Sequence, residues 1–136
     1  MAKKQTRSEA RELVFKIIFQ GLTNDEDYNL LFDEMPDEFP PSIENMPYIN
    51  ATAVGALQRR EELEERISAV LPQNRKITRL SKPVLAILLL AVYEILYAED
   101  VPEKVAINEA VELAKKFAEE DAASFVNGVL GGVVNK

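Results

Sequence analysis

Cysteine and histidine are both absent from these 136 residues. Without a thiol the chain holds neither a disulfide framework nor a thiolate metal site. Without an imidazole it lacks the commonest general base and the usual partner of thiolates at zinc. No glycine-rich loop ends in Lys-Ser or Lys-Thr, and no dinucleotide fingerprint follows a strand. The longest apolar run, Val84 to Tyr97, is interrupted by Glu94 and falls short of the roughly 20 residues that cross a bilayer. No hydrophobic signal region opens the chain, and neither an alternating strand pattern nor an internal repeat is found. Catalysis has little to stand on. The absences point to a cytoplasmic, all-α protein whose work is binding, with one domain over residues 1–136 long enough to bury its own core. Neither a metal nor a cofactor is expected, because Glu119-Glu120-Asp121 reads as solvated or capping groups.

The net charge of −7 argues against a protein that coats nucleic acid by bulk electrostatics. The charge is unevenly spread, however. Lys3, Lys4, Arg7, Arg11 and Lys16 against Glu9 and Glu12 leave the first segment at +3, and Arg75, Lys76, Arg79 and Lys82 form an unopposed +4. Eight acids between Asp25 and Glu44 meet no base, and the span from Glu94 to Asp121 carries −6. Local basic patches therefore remain available within an acidic protein, and solvated helix faces are the plainer reading of the same residues.

Residues 1 to about 6 are polar and expected to be mobile. From Arg7, the positions Ala10, Leu13, Val14, Ile17, Ile18 and Leu22 follow a helical stripe that Gly21 is expected to end. A short apolar piece from Tyr28 to Phe32 and the prolines of Met35-Pro36, Phe39-Pro40-Pro41 and Met46-Pro47 mark a loop-rich quarter. Tyr48 to Leu71 reads as one long helix ended by Pro72. Ile77 to Leu80 reads as a brief helical turn, and Ser81 as the N-cap of the apolar helix that follows. That helix, Val84 to Tyr97, is apolar nearly all round and so central. Ile107, Ala110, Val111, Ala114 and Phe117 make the next helix amphipathic. Asp121 is placed to cap a last helix with Phe125, Val126, Val129, Leu130, Val133 and Val134 on one stripe. Periodicity does not require Asn108 inside a helix, nor Asn127-Gly128, where Gly costs about 1 kcal/mol against Ala. A second requirement is implied at these positions.

Asp100 to Phe117 and Phe125-Val126-Asn127-Gly128-Val129-Leu130, with Ala91-Val92-Tyr93-Glu94 upstream and Glu9-Ala10-Arg11-Glu12-Leu13 near the start, resemble the NusB family of transcription antitermination factors. The resemblance runs from about Arg7 to Leu130 and is strongest from Ala91 onward. It implies a bundle of about six to seven helices and no enzyme. It further implies a bacterial RNA-binding factor that takes boxA-type single-stranded RNA from ribosomal RNA leaders, pairs with the ribosomal protein NusE and joins the transcription elongation complex. Its RNA surface would include Lys3, Lys4, Arg7, Arg11, Ser124, Phe125, Asn127 and Gly128, and Asp121 and Glu94 would serve the basic protein partner.

The residues themselves leave alternatives beside these roles. Arg7 and Arg11, four apart, share a helix face and suit two successive phosphates, whereas Arg11 paired with Glu94 or Asp121 would be structural. Phe125 suits base stacking or the core. Asn127 suits RNA or a neighbouring helix end, and Tyr93 and Glu94 suit ties between helices. Many family members have arginine where this chain has Ser8 and Leu89, and Ser and Lys where it has Ala122 and Ser124. Each replacement is expected to remove a phosphate contact. An adaptor with little RNA affinity, or the NusB-like domain of a ribosomal RNA methyltransferase system, are the other functions considered. The apolar, Gly-bearing last helix fits either a homodimer or a monomer interior.

Overall fold

The computed structural model describes residues 4–23 and 42–135. Among these residues there are six α-helices and no strand: α1 (Arg7–Thr23), α2 (Met46–Gln58), α3 (Arg60–Ser68), α4 (Lys82–Tyr97), α5 (Glu103–Phe117) and α6 (Ala122–Val134). Short 3₁₀ turns at Ile43–Asn45 and Ile77–Arg79 precede α2 and α4. Lys3 and most of the proline-rich segment, including Tyr28 to Phe32, lie outside the described residues.

The run that is apolar on every face is the axis of the molecule. Val84 through Val92 are all buried, and α4 packs against each of the other five helices. Burying one such Leu or Ile contributes about 1.5–3 kcal/mol, so a helix with no solvent face is stable only when all its neighbours are in place. Pro83 sits in the first turn of α4, where its missing N–H costs nothing. Ser81 precedes that helix with extended backbone, as expected of a cap, but makes no capping bond, and its Oγ is buried without a partner among the described residues.

On α1 the buried line is Ala10, Val14, Phe15, Ile17 and Ile18, and the Phe15 and Phe117 rings stack at 5.0 Å. Gly21 does not end this helix, which continues to Thr23. The glycine is there for contact instead: a Cβ on it would come within 2.9 Å of the Leu57 methyls, so its absence lets α1 and α2 approach.

The single helix expected from Tyr48 to Leu71 is two. It starts earlier, with Pro47 in the first turn, and its backbone departs from helical geometry at Arg59 (φ −100°, ψ 16°). Hydrogen bonds carry across the bend, from Arg59 N–H to the Gly55 carbonyl and from Leu63 N–H to the Arg59 carbonyl, both at 3.0 Å. The bend keeps Ala56 and Leu57 inside before it and Leu63 and Ile67 inside after it. The Arg59 guanidinium lies over the Tyr97 ring at 4.4 Å.

On α5 the buried line is Ala106, Ala110, Leu113 and Ala114, with Ile107 and Phe117 at its edge. On α6 it is Ala122, Val126, Val129, Leu130 and Val133, packed inside this chain. Asp121 stands at the start of α6 but makes no side-chain cap, because its backbone is already helical (φ −89°, ψ −2°) where a capping residue is extended.

Candidate nucleic-acid interface

The basic start of α1 is folded onto the start of α2. Thr6 and Glu9 exchange bonds at the helix entrance, Thr6 N–H to the Glu9 carboxylate at 2.8 Å and Glu9 N–H to the Thr6 hydroxyl at 3.1 Å. Gln5, which its polar surroundings in sequence mark as mobile, is buried instead: Asn45 Nδ2 donates to its side-chain oxygen at 3.0 Å and to its carbonyl at 3.2 Å. Asn45 Oδ1 in turn accepts from Arg7 Nε at 3.1 Å, and the Arg7 guanidinium lies over the Tyr48 ring, 4.3 Å from its centre. Lys4 pairs with Glu44 at 2.5 Å, both side chains being well exposed, a contact worth about 0–1 kcal/mol that a competing anion displaces readily.

Arg7 and Arg11 do not act as a pair on the surface. Arg11 is 3% exposed, and its Nε and Nη2 donate to the two Glu94 oxygens at 2.8 and 3.0 Å, while Nη1 lies 3.3 Å from Glu109. One turn into α1, its direction is that of Phe15 and Ile18, so it points into the bundle. Glu94, 1% exposed, also accepts the Tyr48 hydroxyl at 3.3 Å. Arg11 as a phosphate contact and Glu94 as a contact for a protein partner are therefore both corrected: each is consumed by the other in the interior. Burial alone would lower the Arg11 pKa, but the Glu94 hydrogen bond and the Glu94 and Glu109 charges hold it above the ordinary value. Burial and the Glu94 charge push the Tyr48 hydroxyl up, keeping it a neutral donor.

A second polar patch lies about 15 Å away along α4, ten residues from Glu94 at 1.5 Å per residue. Here Arg75, Arg79, Ser81, Glu119, Asp121 and Phe125 line an open cleft of about 240 Å³. The Arg75 guanidinium covers the Phe125 ring at 4.5 Å. Phe125 is half-buried at the edge of the α6 stripe, so it serves the core and lines the cleft at once. Ser124, Asn127 and Gly128 share the opposite, exposed face of α6. Nothing lies within 4 Å of where a Gly128 Cβ would be, so no backbone among the described residues explains that glycine. Asp121 is exposed beside the cleft. Arg75, Lys76, Arg79 and Lys82 are all exposed, and none makes an ion pair among the described residues.

Of the expected residues, the structure brings Lys4 and Arg7 together at one patch and Phe125 and Asp121 together at the other. Tyr48, Asn45, Arg75 and Arg79 are functional candidates that sequence reasoning does not single out. The unopposed basic run signals the last two, whereas Tyr48 and Asn45 carry no local signal, being brought to Arg7 by the chain's return. Among the departures from the family, Leu89 is fully buried and Ala122 is 4% exposed, so neither position offers a phosphate contact in this fold. Ser8 is exposed and donates to Glu109 at 2.6 Å.

Fold and surface together define an all-helical binding domain, in which arginines laid on aromatic rings are the polar feature. The NusB family pattern matches residues 8–135. The chain belongs to the NusB family. It is 38% identical over 130 residues to the transcription antitermination protein NusB of Clostridium novyi, covering 94% of this chain and 97% of that one. The solved structure of T. maritima NusB superposes with a TM-score of 0.89 at 31% identity, covering 98% of this chain and 94% of that one. A crystal structure of the antitermination factors NusB and NusE in complex with double-stranded RNA superposes with a TM-score of 0.85 at 26% identity, covering 95% and 96%.

Proposed function

We propose that this chain is a non-enzymatic transcription antitermination factor of the bacterial cytoplasm that binds boxA-type single-stranded RNA and pairs with the ribosomal protein NusE. One observation carries the RNA reading: at two patches along α4 an exposed arginine, without an ion pair among the described residues, lies on an aromatic ring, Arg7 on Tyr48 and Arg75 on Phe125. Single-stranded RNA is held by phosphate contacts together with stacking of splayed bases, and this is the pairing of groups it needs. The relatives named above, one of them seen with NusE and RNA, support the same reading. No described helix is long and apolar enough to cross a membrane.

Arg7 and Arg79 provide the phosphate contacts at their respective patches, Phe125 with Arg75 a stacking platform, and the Ser124, Asn127 and Gly128 face a surface on which a nucleotide comes close. Replacing Arg7 or Arg79 by Ala is expected to weaken binding of a boxA oligonucleotide and to lower the slope of log affinity against log salt by about 0.7 for each phosphate no longer neutralised. Stability is expected to change by less than about 0.5 kcal/mol for Arg79→Ala, whose side chain is exposed, and to fall by about 1–2 kcal/mol for Arg7→Ala, which leaves the buried Asn45 oxygen without its donor. A titration at several salt concentrations reads affinity and slope, and thermal unfolding reads stability. Unchanged affinity and slope in both variants would leave a helical protein adaptor as the better description.

A further inference from the structure

Arg7 differs from an ordinary surface arginine in how much of it is already held. Its Nε is taken by Asn45 Oδ1, its flat face lies on Tyr48, and its two terminal amino groups bond to nothing among the described residues. Both supports are themselves fixed from behind. Asn45 is 6% exposed and anchored through Nδ2 to Gln5, and Tyr48 is anchored through its hydroxyl to Glu94, which Arg11 holds by two bonds. A free arginine gives up about 2 kcal/mol of rotamer entropy when it is fixed, and a group already held loses less on binding.

We infer that Tyr48 and Asn45 are positioning residues for RNA: they hold the Arg7 guanidinium so that its two terminal amino groups form a ready-made fork for one backbone phosphate. The ring supplies the floor, the amide oxygen fixes rotation about the end of the side chain, and four N–H donors remain for the phosphate oxygens. Tyr48 touches no RNA in this arrangement and acts only through Arg7. The inference rests on the proposed RNA-binding function and deepens it by naming what sets the geometry of its N-terminal contact.

The test is a double-mutant cycle between Arg7→Ala and Tyr48→Leu, read as the affinity of the full chain for a labelled boxA-type oligonucleotide at fixed salt. Tyr48→Leu is expected to weaken binding by about three- to ten-fold when Arg7 is present, the range of a cation–π contact, and to have no effect in the Arg7→Ala chain. Tyr48→Phe keeps the ring under Arg7 but frees it from Glu94, and is expected to weaken binding by less than Tyr48→Leu does. A purely structural role for Tyr48 would weaken both backgrounds by the same factor, and that result overturns the inference. Affinity that falls with Arg7→Ala but not with Tyr48→Leu also overturns it, while leaving Arg7 in the RNA path. Affinity that Arg7→Ala leaves unchanged defeats the placement of RNA at Arg7 itself. Should Tyr48→Leu fail to fold, Asn45→Ala, which frees the Nε end of the fork, takes its place in the same cycle with the same expected coupling.

Discussion

Arg11 shows how far one residue's role depends on a single turn of helix. Its spacing of four from Arg7 puts both on one face, and the same arithmetic puts it four before Phe15 and seven before Ile18, on the apolar stripe. Only its position inside the helix, against Arg7 at the open end, decides which arginine reaches solvent. The buried pair sets a prediction. Arg11→Ala leaves Glu94 without a counter-charge in the interior and is expected to cost about 3–5 kcal/mol, whereas Glu94→Ala, which leaves Arg11 the Glu109 contact at 3.3 Å, is expected to cost less. Replacing both by apolar residues of similar volume is expected to cost less than either, and denaturant unfolding measures the three values. Costs below about 1 kcal/mol for the single variants would mean that water reaches the pair, contrary to its burial. An Arg7 and Arg11 double alanine chain therefore cannot report cleanly on RNA. Glu94 as a buried tie was legible as one option, since it interrupts an otherwise apolar run. Tyr48 as the floor under Arg7 was not, because a contact 41 positions away in sequence leaves no local pattern.

At the scale of the element, α6 separates packing from the exposed features that packing does not explain. Its buried line follows the positions that hydrophobic periodicity assigns to it, and Ser124, Asn127 and Gly128 fall on the other side. Gly128 meets no described atom where a Cβ would go. Gly128→Ala is therefore expected to stabilise the chain by about 0.5–1 kcal/mol, the helix-propensity gain of Ala over Gly. It is also expected to weaken boxA binding by narrowing the approach. Thermal unfolding and the RNA titration give the two signs, and a variant that is more stable with unchanged affinity would remove Gly128 from the interface. The helical architecture and the central place of α4 were readable from periodicity, because apolar spacing is a local property. The bend at Arg59 was not: backbone hydrogen bonds continue across it, and neither Pro nor Gly stands at the spot. Packing on both sides of the bend sets it, and packing is known only once the bundle is assembled.

The whole molecule presents a charge problem to an RNA ligand. The chain carries a net charge of −7, and the exposed acids on α3 (Glu61, Glu62 and Glu65) and around α5 (Glu103, Glu119 and Glu120) make faces that repel a polyanion. The cations of the two patches stand near the two ends of α4. The same acids attract a basic protein. RNA is thus expected to bind weakly to this chain alone and more tightly once NusE is docked, by a coupling of about 1–3 kcal/mol. Reciprocity requires RNA to tighten the protein contact by the same factor. Measuring NusE affinity with and without RNA at one salt concentration checks it, and equal affinities would mean that the two ligands bind independently.

The burial of α4 on every side also bears on how the protein is made. Synthesis runs from the amino end, so α4 is complete before residues 98–134, which carry α5 and α6, have been joined. At about 5–20 residues per second that interval lasts roughly 2–7 s. A helix of Leu, Ile, Val and Ala, destined for the middle of the bundle, thus waits for α5 and α6 to complete its surroundings. The bundle therefore closes around α4 only late in synthesis, when its last two neighbours have been added.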